Sequence, residues 1–179
     1  MRTVIIVILA CLALPIFAQD GLERFGRDAV DALKAERFSR FVQLQLGDED
    51  IPSLFDSLHA SSEWADMHYS DRITAEEELR GLKAALIETD SEARRGLRRC
   101  FDSILVRGSN LYGFDWENAG YIEYIEGRQW SSMGLSMHDG LVVVFEAEGV
   151  QYRLAFGRLF HTRYGWRLGP DSLVIFVIL

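Results

Sequence analysis

Residues 141–156 leave little freedom of fold. Leu141, Val143, Phe145 and Ala147 fall on one side of an extended chain, and Val150, Tyr152, Leu154 and Phe156 do the same in the next run. The pair Glu148-Gly149 between them suits a tight hairpin turn. Such a turn sets Phe145 opposite Tyr152, Val143 opposite Leu154 and Leu141 opposite Phe156. All three pairs are apolar, whereas the other face pairs Glu146 with Gln151 and Val144 with Arg153. A slip of one residue would turn the whole apolar set to water, so a single register is specified.

The same logic extends to both sides. A three-residue loop, Arg163-Tyr164-Gly165, with Gly165 in the left-handed region, would set Thr162 opposite Trp166 and Phe160 opposite Leu168. Tyr121–Glu126 reads as an earlier strand and Leu173–Leu179 as a last one. The last run is apolar throughout, which predicts a central or helix-covered strand buried on both faces. Its alternative use is contact with a second copy or another protein, a homo-oligomer through 173–179.

Residues 20–107 carry a different period. Leu22, Phe25, Ala29, Leu33, Phe41 and Leu44 follow helical spacing, with Gly47 as the cap and a less certain end where 41–46 alternates. Leu54–Met67 reads as a short helix with an irregular tail. Thr74 with Glu77, and Thr89 with Glu92, have capping-box spacing. Leu79, Leu82 and Leu86 form one face after the first box. After the second, Ala93, Leu97, Cys100, Phe101 and Ile104 form an apolar face, with Arg94, Arg95, Arg98 and Arg99 on the solvated side. Helices (20–107) followed by strands (112–179) predict one α+β domain over 19–179, its N-terminal helices packed on one face of a bent antiparallel sheet of four to five strands.

The first residues predict where the chain works. Arg2, the apolar run Val4–Leu14 and a small residue, Ala18, before polar sequence have the form of a secretory signal over 1–18. Gln19 would be the mature start, and the location periplasmic or secreted. Ile8-Leu9-Ala10-Cys11 also loosely resembles a lipoprotein box, a weaker reading that would anchor a lipid at Cys11. Cleavage at Ala18 leaves Cys100 as the one cysteine, so stability rests on packing, and Cys100 reads as a small buried apolar residue. The formal charge of −8 disfavours nucleic acid and anionic membrane surfaces.

Phe114-Asp115-Trp116-Glu117-Asn118-Ala119 before a strand, then Val142–Glu146, Tyr152–Phe156 and Gly165-Trp166-Arg167-Leu168, resemble the C-terminal half of small secreted bacterial proteins with an NTF2-like or cystatin-like fold. Many of these are of unknown function. The resemblance spans about residues 110–170 and implies helices lying in the concave side of a bent sheet. It transfers no catalytic residue. Enzymes of that fold place an Asp or Glu, often with a Tyr, on the concave face. Here that implies Tyr152, Tyr121 or Tyr124 with Asp115 or Glu123 as an isomerase or hydrolase pocket.

Chemistry read from the residues alone is sparse. There is no Gly-x-Ser-x-Gly elbow and no phosphate loop. His59, Glu63, Asp66 and His68 lie within ten residues without a recognised zinc spacing, so a polar, partly exposed loop is the expectation there; His138 and His161 are isolated. No catalytic, cofactor or metal residue is assigned. The expected function is an exported, non-enzymatic binding or protein-interaction module for an unknown protein or a small apolar ligand. A carboxylate/Tyr enzyme pocket is the alternative.

Overall fold

The computed structural model describes residues 21–88, 90–169 and 174–178. The signal at 1–18, Cys11, Gln19, the Thr89 cap and the ends Leu173 and Leu179 lie outside them, as do the side chains of Leu82, Leu86, Glu92 and Ala93.

Helix α1 covers 21–34 and buries Leu22, Phe25, Ala29, Val30 and Leu33, the helical spacing expected. It does not run on towards Gly47. Glu36 takes a positive φ of 49°, Arg37 N–H reaches back to Ala32 O (3.0 Å) and Glu36 N–H to Leu33 O (2.9 Å). This is a Schellman ending with a glutamate in the slot glycine usually fills. A short helix α2, Phe38–Phe41, and a tight turn, Val42–Leu44, follow. Then Leu46 N–H donates to Leu168 O at 2.8 Å, so the chain here runs along the sheet edge.

Helices α3 (Ile51–His59), α4 (Ser62–Asp66), α5 (Tyr69–Glu88) and α6 (Asp90–Val106) complete the helical half. Thr74 does not start a helix: it lies inside α5 and its hydroxyl donates to Ser70 O at 3.1 Å. The Ser61 hydroxyl is a true cap, accepting from Trp64 N–H at 3.0 Å. On α6, Leu97, Phe101 and Ile104 are buried and the four arginines exposed, as the period predicts.

The strands are β1 (Gly120–Ile125), β2 (Arg128–Ser132), β3 (Leu135–Ala147), β4 (Val150–Thr162), β5 (Gly165–Leu168) and β6 (Val174–Ile178). They form one antiparallel six-stranded sheet, and the protein is α+β with its N-terminal helices packed against that sheet. The long β3–β4 hairpin is its spine. β1 and β2 share the outer edge of β3, and β6 and β5 share that of β4. Glu148 and Gly149, at φ 53° and 81°, make the hairpin turn. Phe145↔Tyr152, Val143↔Leu154, Leu141↔Phe156, Glu146↔Gln151 and Val144↔Arg153 pair as the sequence predicts.

Beyond this the phase changes. Buried positions on β4 run Tyr152, Leu154, Phe156 and then Leu159 and Thr162. On β3 Ala147, Phe145, Val143 and Leu141 alternate and His138 follows, while Val144 and Met137 are buried as well. The break falls between Leu141↔Phe156 and Asp139↔Arg158, where Gly140 (φ 76°) faces Gly157. Two glycines let both strands shift face together without losing register. The β4–β5 turn is consequently shorter than expected. Thr162 pairs with Gly165, His161 with Trp166 and Leu159 with Leu168, which corrects the Thr162/Trp166 and Phe160/Leu168 pairing.

The larger core joins α1, α2 and α6 to Leu141, Val143, Phe145, Leu154, Leu159 and Trp166. A smaller one gathers Ile51, Leu54 and Leu58 of α3 and Ala75 and Leu79 of α5 around Leu135 and Phe160. Leu159 and Phe160 are adjacent in a strand and point to opposite faces, so this end of the sheet is covered on both sides.

β6 corrects another expectation. Among the described residues it pairs only with β4; its Val174 and Phe176 are buried, and Ile175 is 51% exposed. It is a lateral strand with one face inward, not a strand buried on both. Cys100 is half-buried rather than a plain apolar filler: its thiol donates to Val174 O at 3.2 Å and ties α6 to β6. Burial pushes that thiol's pKa up, which lowers its reactivity at neutral pH.

Candidate functional site: a cleft between α1 and the β4–β5 turn

The concave place where a carboxylate/Tyr pair was the alternative expectation is filled. Tyr152 is buried, with Phe114, Phe145, Phe176 and Tyr112 rings at 4.6, 5.4, 5.8 and 5.9 Å. The other candidates are scattered. Asp115 accepts from Glu117 N–H at 3.0 Å and so caps a short turn. Glu123 is exposed on β1. The Tyr124 hydroxyl is 3.5 Å from Glu126. Tyr121 lies under the Arg27 guanidinium at 4.6 Å, and burial is the main cause that pushes its hydroxyl up to about 12. None of these is brought against Tyr152 as an acid–base partner by any contact described.

The histidine–carboxylate run disperses as well. The His59 ring packs at a tilt against Trp64 (4.8 Å) and meets Glu76 at 3.2 Å. The Glu63 carboxylate accepts from the backbone N–H of Met133. No group of three metal-ligating side chains exists among the described residues.

A cleft of about 790 Å³ opens elsewhere. Its volume is that of a small-molecule site, about 300–1,000 Å³. One wall is α1, with Gly21, Arg24, Phe25, Asp28 and Asp31. A second comes from Arg40, Gln43 and Leu44. The third is the β4–β5 turn, His161 and Arg163–Arg167. The backbone sets these walls together for identifiable reasons. A Cβ on Gly26 would lie 2.9 Å from the Tyr121 ring and 3.1 Å from Val143, so glycine there lets α1 sit low on the sheet. The early end of α1 lets the following segment bring Arg40 onto the same cleft.

Trp166 is the floor, 2% exposed, with His161 and His138 rings at 5.0 and 6.0 Å. Its indole N–H has no hydrogen-bond partner. A Cβ on Gly21 would stand 3.3 Å from that nitrogen. Nearby, Asp50 is fully buried: its carboxylate accepts from the Thr162 hydroxyl (2.8 Å) and Gly47 N–H (3.0 Å) and forms an ion pair with Arg167 Nε (3.5 Å). Asp50 therefore holds Arg167 and the end of β4 in place for the cleft. The surface charges partly pair. Arg24 faces Asp28 at 3.8 Å, and the Arg163 guanidinium donates to the Tyr164 hydroxyl at 2.7 Å while lying 4.7 Å over that ring. Burial raises the Asp28 carboxyl, opposed by Arg24.

His138 sits behind this floor, fully buried, with neither ring nitrogen hydrogen-bonded. Burial lowers its pKa, and only Glu126 and Asp139 oppose that shift. The unfolded imidazole titrates near the ordinary 6.5. Stability from the neutral ring is therefore complete above pH 6.5 and falls as the pH drops towards the folded value. The slope is at most about 1.4 kcal/mol per pH unit. Urea midpoints at neutral pH and near pH 5 should show this loss, and His138→Phe should reduce it. An unchanged slope in His138→Phe would place the acid sensitivity elsewhere.

The sequence reading did not find the cleft. Its lining is drawn from 21–31, 40–44 and 161–167, with no local spacing to mark it. No protein-family model, curated protein or solved structure matches the chain.

Proposed function

We propose that this protein is an exported binding module whose site is the cleft between α1 and the β4–β5 turn. The observation that carries the reading is the cleft itself: a concave volume of about 790 Å³ walled by three separate segments. The sheet around Tyr152, by contrast, is packed with aromatic rings. The charged rim favours a polar ligand over the small apolar one that stood among the expected partners. An antiparallel sheet with helices against it also agrees with the NTF2-like or cystatin-like resemblance. Export rests on the signal-like sequence of 1–18. N-terminal sequencing of the exported protein should read from Gln19, and a lipid-bearing start at Cys11 would overturn that point.

A thermal-shift screen of small molecules tests the binding reading. A ligand at about 100 times its Kd adds about 2.7 kcal/mol, a shift of several degrees. Gln43→Trp, on the cleft wall, should abolish the shift. A shift that survives Gln43→Trp puts binding elsewhere, and a screen without any shift removes the reading.

A further inference from the structure

The charge of the cleft runs against that of the protein. The chain carries a formal −8, yet four arginines and two aspartates line this one concavity. Arginines recognise carboxylates through paired N–H donors, and a walled cleft of one dominant sign concentrates its field. Among the described residues no ion pair or hydrogen bond is recorded for the Arg40 side chain, and the Arg163 side chain engages only Tyr164. Arg167, in contrast, is held by Asp50, and Arg24 faces Asp28. Phe25, Leu44 and Trp166 also line the cleft but are almost wholly buried, whereas the Tyr164 ring is 48% exposed.

We propose, resting on the binding reading above, that the cleft takes a small organic anion. Its carboxylate is held by Arg40 and Arg163, and its flat body lies beside the exposed Tyr164 ring. The acidic remainder of the protein repels polyanions, so a nucleic acid or an acidic protein does not suit the site, whereas a single small anion reaches it.

Isothermal titration with naphthalene-2-carboxylate and its neutral amide tests this. The acid should bind, the amide should bind at least about tenfold more weakly, and Arg40→Ala and Arg163→Ala should each lose about tenfold or more. Raising salt from about 0.05 to about 0.5 M should weaken the acid. Arg99→Ala, on the exposed face of α6, should leave affinity unchanged. All three arginines are exposed, so the variants should fold, and their melting curves check it. Equal binding of acid and amide, or full affinity in both cleft variants, overturns the anion assignment and leaves the cleft reading standing. No binding of either probe, alongside a hit from the screen that Gln43→Trp abolishes, overturns the anion assignment alone. No binding together with an empty screen overturns both.

Discussion

Trp116→Ala is expected to cost the fold about 3–5 kcal/mol, the range for removing a buried aromatic side chain. Trp116 is 1% exposed at the centre of the aromatic cluster. Its indole stacks on Phe145 at 5.3 Å and meets Phe114 edge-on at 4.9 Å. Its N–H donates to Leu105 O at 3.1 Å, so the loss includes that hydrogen bond to α6. Gly108 makes room for it: a Cβ there would be 2.5 Å from the indole nitrogen. The wide turn Arg107–Leu111 that ends α6 thus brings a glycine under the tryptophan. Urea unfolding measures the effect. A loss below about 1 kcal/mol would mean that the cluster repacks freely, contrary to a close-packed interior. Trp116→Phe should cost less, because it keeps most of the ring contact and loses the N–H.

Asp50→Ala is expected to cost a similar amount, about 3–5 kcal/mol, as when one partner of a buried ionic network is removed. The truncation deprives Thr162, Gly47 N–H and Arg167 of their acceptor at once, and the Arg167 side chain is only 22% exposed. Asp50→Asn should cost less, since a carbonyl oxygen still accepts from Thr162. An Ala variant as stable as the parent would show that water replaces the carboxylate. The two substitutions act on different halves of the protein. Trp116 joins α6 to the inner face of the sheet, whereas Asp50 joins the loop before α3 to the strands that carry the cleft.

How far the sequence could be read depended on whether local signals agreed. At Glu148-Gly149, turn chemistry and period-two alternation specify the same register, and the strands pair that way. At Gly140 and Gly157 the alternation changes phase, and a reading that extends the period across them misplaces Thr162 and Trp166. β2 was invisible because Arg128-Gln129-Trp130-Ser131-Ser132 has no apolar face. Its turn also uses Met133 at a φ of 51°, a residue that carries no turn signal. The break after α1 is hidden for the same reason, with Glu36 where a glycine would have announced it. Thr74 misled in the opposite sense. Its hydroxyl bonds back to Ser70 O within α5, which threonine does as readily as it caps. β6 misled by uniformity: seven apolar residues in a row hide an alternation in which Ile175 faces out.

The candidate site was the least legible part. Arg40 and Arg163 lie on opposite sides of the sequence, and only the early turn after α1 and the short β4–β5 loop set them on one cleft. Asp50, which organises that wall, stands among other acidic residues, Asp48 and Glu49, that are exposed. Nothing in the local sequence distinguishes the buried carboxylate from its neighbours. Its partner Thr162 is over a hundred positions away.

The indole N–H of Trp166 offers the most direct measurement of the central claim, that this cleft is where a ligand binds. It lies on the floor, buried and without a hydrogen-bond partner, so its ¹H–¹⁵N signal should report occupation of the space above it. Titration with naphthalene-2-carboxylate should move that signal saturably, together with the backbone signals of Gly21, Leu44 and Gly165. A saturable titration that leaves Trp166 and these neighbours unmoved while shifting residues elsewhere, such as exposed Tyr69 and Ile73 on α5, would contradict the account.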